Sequence, residues 1–376
     1  MSTWRALFAA EVRRVRRFCV VLSFACVAGH AGAQDLGRGQ QVLFAPSIAS
    51  VSGANQWMMV IQGRVFESPA VSPRRQAVID ALAPVMGALR ADPIYRERAG
   101  HFVSDSVGGV RVSVSIGGRV VTLPPTDTAG GFVLDVPLTH DEVARLSRDG
   151  AISFETLPTS ENQEHFRGSA VLVPEDGLTV VTDMDDTIKE TEVNDRAKAK
   201  ANTFVLPFKP VAGMPELYQS WQVASGAQIH FHLVSAGPWQ FHAPLRRFTE
   251  KARFPAFTWD MRSIDITDPR RLVEETISPD PQRLYDFKVA KIRALMARLP
   301  KRHVVLVGDS GERDPEVYAT ILSEFPDRVD AVFIRNVTVE GQRAPRYERL
   351  FPSAAVAAKL KVFTNASELP RRAVAQ

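Results

Sequence analysis

The sequence predicts an α/β fold, a parallel sheet with helices on both faces, preceded by a small antiparallel β-sandwich. Two observations predict it. Beyond the turn Pro174-Glu175-Asp176-Gly177, four apolar runs alternate with helical patterns: Leu178 to Thr182, Ala227 to Val234, His303 to Gly308 and Ala331 to Ile334. Apolar strands separated by helices belong to parallel sheets covered on both sides. Before that turn, short stretches alternate apolar and polar residues between glycine turns, the period of half-buried antiparallel strands. The expected domains are a leader at 1–33, a β-sandwich-like unit with a helical insertion at 34–173, and the α/β unit at 174–370.

The leader reads as a secretory signal peptide. Arg13 to Arg17 is a basic n-region, Phe18 to Gly29 an apolar run of 12, and Ala31-Gly32-Ala33 a small-x-small cleavage site before Gln34. Such a run spans about 18 Å as a helix, short of a ~30 Å hydrocarbon core. Cys26 follows Ser23-Phe24-Ala25, a poor lipoprotein site, and no later segment is apolar over enough length to cross a bilayer. The expected location is therefore periplasmic or secreted, with no transmembrane span after cleavage. The leader also holds both cysteines, five arginines and one acid. Of the 46 Lys+Arg and 42 Asp+Glu, 41 of each sign then remain. A balanced chain has no electrostatic footprint for nucleic acid, and the composition excludes disorder, collagen and a disulfide scaffold.

Residues 34 to about 56 lack clear periodicity and read as a loose entry segment, and strand signals begin at Met58 to Phe66. From Arg74 to Arg98, Val78, Leu82, Val85 and Leu89 recur at helical spacing, in a helix that Pro84 should kink or divide. Val110, Val112, Val114 and Ile116 alternate up to the turn Gly117-Gly118, after which Val121 and Leu123 resume, giving a hairpin. Phe132, Leu134 and Val136, then Ile152 and Phe154, then Ala170 to Val173 complete the series.

Polar residues gather where the α/β strands end, which is where open α/β sheets bind ligands. The first run ends in Asp183-Met184-Asp185-Asp186-Thr187 and the third in Gly308-Asp309, with Asp314 as a helix cap and Pro315 in the first turn. Carboxylates converging at one sheet edge repel each other at pH 7, and a divalent metal relieves this; oxygen-only ligation favours Mg2+. In the helix from about Pro281 to Leu299, Lys288 precedes the apolar stripe Ile292, Leu295, Met296 and Leu299 by one turn, so it needs an acidic partner unless it snorkels to solvent. The second run ends in Ser235-Ala236-Gly237-Pro238-Trp239, a hydroxyl with free N–H groups for a phosphate oxygen. His230 and His232 share one strand face and fit core histidines better than a zinc pair.

In order, Asp-x-Asp-x-Thr, the strand-end serine, the lysine four residues before an isoleucine, and Gly-Asp with a second Asp five residues on resemble the four motifs of the haloacid dehalogenase superfamily. The local sequence is narrower. Asp185-Asp186-Thr187-Ile188-Lys189, Asn202-Thr203-Phe204, Pro207-Phe208-Lys209-Pro210-Val211, Gly213-Met214 and Val307-Gly308-Asp309-Ser310-Gly311-Glu312 are similar to the catalytic domain of the actin-patch-associated phosphatidate phosphatase family, which has bacterial members. The likeness covers about Gly177 to Arg335 and departs at Gly237, where the family usually has serine. The resemblance implies a haloacid-dehalogenase-like Rossmannoid sheet and a Mg2+-dependent phosphomonoesterase acting on phosphatidate or a similar lipid phosphate at a membrane surface. In it, Asp183 is the nucleophile that forms an aspartyl-phosphate, and Asp185 the acid and base. Asp183, the Asp185 carbonyl and Asp309 hold the metal with Asp314 in support, Ser235 and Lys288 steady the phosphoryl group, and Thr187 orders the loop. Lys189, Lys198, Lys200, Lys209, Arg262 and Arg335 are candidate headgroup cations, each more simply a solvated base. Trp239 and Phe241 are candidates to line an apolar channel, with core packing as the default. The alternatives are a general phosphatase of soluble esters and a non-catalytic phospholipid-binding protein.

Overall fold

The computed structural model describes residues 33–67, 73–104, 106–264 and 280–373. All of the expected leader except its last residue lies outside them.

The β unit contains β1 (Gln34–Asp35), β2 (Gln40–Phe44), β3 (Ser47–Gly53), β4 (Gln56–Glu67), β5 (Val110–Arg111), β6 (Ser113–Ile116), β7 (Arg119–Thr122), β8 (Gly131–Thr139), β9 (Ser147–Arg148), β10 (Ala151–Thr156) and β11 (Arg167–Val173). The supposed loose entry is thus mostly strand. Its signal is hidden because β3 buries Ser47, Ile48, Ala49 and Ser50 in succession, small side chains with no alternation. Nine strands hydrogen-bond in one continuous sheet, because the long β4 pairs β8 along one edge and both β2 and β3 along the other. The sheet curls about one core: the Phe44 ring meets Phe132 of β8 at 5.7 Å and Phe154 of β10 at 5.0 Å. Pairing is antiparallel except between β3 and β11 and between β1 and β5.

The long helix predicted over 74–98 is two, α1 (Pro73–Met86) and α2 (Pro93–Phe102). Pro84 lies inside α1; the break follows at Gly87, and Asp92 starts α2 by accepting from the Tyr95 N–H at 2.8 Å. Although inserted between β4 and β5, this pair packs on the α/β unit. Ile79, Ala83, Tyr95 and Phe102 share its core, and Phe102 contacts Phe204 and Phe241 with ring centroids 5.6 and 5.5 Å apart. A helix α3 (His140–Leu146) starts with a Thr139–Glu142 capping box.

The α/β unit has six parallel strands, β12 (Leu178–Thr182), β13 (Ile229–Pro238), β14 (Phe257–Arg262), β15 (His303–Asp309), β16 (Val329–Arg335) and β17 (Leu360–Phe363), in the order β14-β13-β12-β15-β16-β17. The order reverses direction at β12 and β15, a topological switch point. The helices are α4 (Arg196–Phe204), α5 (Met214–Ser225), α6 (His242–Lys251), α7 (Pro281–Arg298), α8 (Asp314–Glu324), α9 (Pro345–Leu350) and α10 (Ala354–Ala357). Strand residues alternate between two cores: Val180, Val305 and Val307 face α5 and α6, whereas Val181, Leu306 and Val332 face α7 and α8. Among the described residues, no helix is long and apolar enough to cross a membrane.

The units meet along β14 and α7, where Arg298 pairs with Asp135 of β8 at 3.0 Å, while Arg302 braces the start of the α/β unit itself. The outer edge of β14 is covered by the β2–β3 turn, with the Trp259 N–H donating to the Pro46 carbonyl at 3.1 Å and Gln62 donating to the Trp259 carbonyl at 2.9 Å. At the opposite end of the strands Arg302, fully buried, donates to Thr179 and to the carbonyls of Pro174, Asp176, Leu178 and Gln228. Gly177 must be glycine there: its φ is +118°, and a Cβ would lie 2.3 Å from the Gln228 carbonyl oxygen.

Candidate active site

Thr182, the last residue of β12, pairs with Leu233 of β13 and Val307 of β15, so Asp183 emerges between two neighbours at the carboxyl edge. Its N–H donates to the Val307 carbonyl at 2.9 Å. Oxygens of Asp183, Asp309 and Asp314 lie within 4.8 Å of one another, and all three residues are buried. Lys288 points into this group from α7, with Nζ 2.8 Å from Asp183 Oδ1, 2.5 Å from Asp314 Oδ1 and 3.4 Å from Glu312 Oε2. It is 3% exposed, so it does not snorkel. Asp309 accepts from the Gly311 N–H at 2.6 Å through Oδ1, and its buried Oδ2 has no hydrogen-bond partner among the described residues.

Four carboxylates thus face one ammonium. Burial raises the Asp183 carboxyl well above its ordinary range; Lys288 opposes this, and Asp314, Glu312 and Asp185 add to it. Asp309 is raised for the same reason, with Asp314 and Asp183 as the main repulsive neighbours. Burial would lower Lys288, but Asp183, Asp314 and Glu312 outweigh it and hold the ammonium charged. The excess negative charge, the unpartnered Asp309 Oδ2 and the all-oxygen donor set fit a divalent cation. Asp185 differs. Its side chain is 29% exposed, and Oδ1 accepts from Lys189 Nζ at 2.8 Å and from Thr191 Oγ1 at 2.6 Å. Burial alone would raise it; the Lys189 charge and the two hydrogen bonds bring it below the usual carboxylate range.

Residues 178–336 match the family model of the catalytic domain of phosphatidate phosphatase APP1. The matched segment starts with β12, ends just past β16, and contains every site residue named above. An uncharacterized protein of Schizosaccharomyces pombe is 24% identical over 214 residues, 56% of this chain and 34% of that protein. Phosphatidate phosphatase APP1 of Saccharomyces cerevisiae is 29% identical over 162 residues, 42% of this chain and 26% of that protein. The chain therefore spans about a third and about a quarter of the length of these relatives. The segment match and the budding-yeast relative together support a phosphatase.

Several expectations change within the matched segment. Asp314 is not a cap: it is the first residue of α8, caps no N–H of that helix, and spends its carboxylate on Lys288 and the Asp309 N–H. Asp-Pro at a helix start has the same sequence signature in both roles. Thr187, buried, ties the loop back on its first residue by donating from Oγ1 to Asp183 Oδ2 at 3.4 Å. Asp186, at φ +54°, orders the segment that follows: its carboxylate accepts from the N–H groups of Thr191, Glu192 and Val193. Ser235 is buried, but the Gly237 N–H, expected to be free, donates to its Oγ at 3.1 Å.

The candidate headgroup cations divide. Lys189 is buried, Arg335 donates to the Asp186 carbonyl and Arg262 to the Ala236 carbonyl, so these three brace site loops. Lys198 pairs with Glu192, Lys200 reaches the Val85 carbonyl, and Lys209 is exposed. His230 and His232 both bond Thr258 Oγ1, at 2.8 and 2.7 Å, inside the sheet. Phe241 packs in the core, and Trp239 is half-buried against His242. Sequence reasoning missed Glu312 and Arg346, which donates to the carbonyls of Ser310 and Glu312 and pairs with Glu316. No local pattern marks an arginine that far along the chain.

Proposed function

We propose that this chain is an exported phosphomonoesterase of the haloacid dehalogenase superfamily, acting on phosphatidate or a similar lipid phosphate through an aspartyl-phosphate. The observation that carries this reading is Asp183, buried at the carboxyl edge between Lys288 and the unpartnered Asp309 Oδ2. The leader pattern supports placement in the periplasm or outside the cell, and the family match supports the lipid phosphate.

Asp183 attacks phosphorus, forming its P–O bond as the bond to the alcohol oxygen breaks. Asp185 protonates the departing alkoxide, a step helped when the incoming phosphate charge raises the proton affinity of its carboxyl. It then takes a proton from the water that cleaves the aspartyl-phosphate, a role suited to a carboxyl that rests ionised. Lys288 steadies the phosphoryl oxygens, and so does Ser235, whose Oγ accepts from the Gly237 N–H and keeps its own O–H to donate to substrate. Mg2+, held by Asp183, the Asp185 carbonyl and Asp309 with Asp314 in support, would supply charge neutralisation.

The test is phosphate release by residues 34–376 from phosphatidate in mixed micelles and from p-nitrophenyl phosphate, with Mg2+ or with EDTA. The expected result is metal-dependent release favouring micelles, reduced about a thousandfold or more in Asp183→Asn. Equal release from the soluble ester would point to a general phosphatase. Vesicle binding without release by the parent protein would point to a lipid-binding role.

A further inference from the structure

The helical pair α1–α2 lies outside the matched residues 178–336, yet its side chain Arg98 holds the 203–208 segment, which in turn touches the loop that carries Asp185. Arg98 is buried at 5% exposure. Its guanidinium carbon stands 3.5 Å from the centroid of the Phe208 ring, and Nη1 donates to the Thr203 carbonyl at 2.8 Å. The same ring lies 5.3 Å from Lys189 Nζ, and that ammonium is 2.8 Å from Asp185 Oδ1. A second arm runs through α4: Asn202, next to the residue that Arg98 holds, donates to the Thr191 carbonyl at 3.0 Å, and Thr191 Oγ1 donates to Asp185 Oδ1. Both arms end on one oxygen of a partly exposed carboxylate.

We propose that Arg98 is a positioning residue for Asp185, acting through Phe208 and Lys189 on one side and through Asn202 and Thr191 on the other. The inference rests on the phosphatase reading above for the role of Asp185. Cation–π contacts strengthen when desolvated, as here, and a carboxylate must be aimed to transfer a proton. Without Arg98, Phe208 loses the cation that fixes its plane, Lys189 loses its cover, and Asp185 samples orientations that miss the leaving oxygen. The aromatic contacts of Phe102 with Phe204 and Phe241 keep α2 docked without Arg98, so the effect is local.

The test uses the chain after the leader, with kcat and KM measured on p-nitrophenyl phosphate. Arg98→Ala should lower kcat about tenfold with KM within about twofold. Arg98→Lys should recover part of the loss, and Arg98→Ala combined with Lys189→Ala should be no worse than Lys189→Ala alone. A parent-like kcat in Arg98→Ala, or losses that multiply in the double variant, overturns the proposal. Amine acylation read residue by residue by mass spectrometry gives a second measure independent of turnover. Lys189 should label several-fold faster in Arg98→Ala while the exposed Lys361 does not change, and an unchanged Lys189 also overturns the proposal. If Arg98→Ala does not fold, Arg98→Lys and Phe208→Leu carry the same measurements. A parent protein that turns over no phosphoester rejects the phosphatase reading, and the labelling then decides the positioning claim alone.

Discussion

Lys288 is the residue on which the site balances. Its ammonium stands among Asp183, Asp314 and Glu312 with almost no access to water. Removing one partner from a buried charge group typically costs ~3–5 kcal/mol, because the others keep their desolvation penalty. Lys288→Met is therefore expected to lower stability by about that amount in urea unfolding at pH 8, and saturating Mg2+ should restore part of it. The loss should shrink toward pH 5, where the raised carboxyls of Asp183 and Asp309 take up protons and end their mutual repulsion. An unchanged midpoint would mean that Lys288 is better solvated than its burial indicates. The placement of Lys288 was legible, because a cation on an apolar helical stripe needs an acid. Asp186 and Glu312 were not, since a third aspartate in a row and a glutamate in a loop look like ordinary polar residues until the backbone turns them inward.

At the level of elements, β15 meets α8 through a missing side chain. A Cβ on Gly308 would lie 2.4 Å from Asp314 Oδ2 and 2.7 Å from Tyr318. Gly308→Ala should force Asp314 off Lys288, cost roughly 1–3 kcal/mol and weaken the thermal stabilisation by Mg2+, as scanning calorimetry with and without EDTA would record. The four apolar runs that announce the parallel sheet are its two central strands and their neighbours β13 and β16, in agreement with the sequence. The edge strands β14, with Asp260 and Arg262, and β17, only four residues long, carry too mixed a pattern to declare themselves. Periodicity marks Val78, Leu82, Val85 and Leu89, whereas α1 buries the neighbouring face Ile79, Ala83 and Met86 and Leu89 lies exposed beyond it; nor can periodicity say which core covers the helix, here the distant one. The β14 contacts make the β unit a cover for the outer edge of the parallel sheet.

For the molecule as a whole, two histidines set the acid limit. Burial lowers His242 to about 3 and His230 well below 6.5. Between those values and 6.5 the unfolded chain binds protons that the folded chain refuses, so stability rises with pH across that window. The stability carried by these histidines should be complete above about pH 6.5 and fall progressively below it, so His242→Phe should be less steeply destabilised than the parent in melts taken from pH 7 to pH 5. A wild-type slope in that variant would place the acid sensitivity elsewhere.

The seam between the two units has a bearing on how the chain reaches its fold. Gln62 and Trp259 meet across 197 residues. Closing so long a loop is rewarded late, so we expect the strand pairings within each sheet to form before the seam closes. Until then the outer backbone of β14 stands open to any neighbouring chain. The lifetime of that bare edge, more than the stability of the finished fold, limits how crowded newly made chains can become before they self-associate.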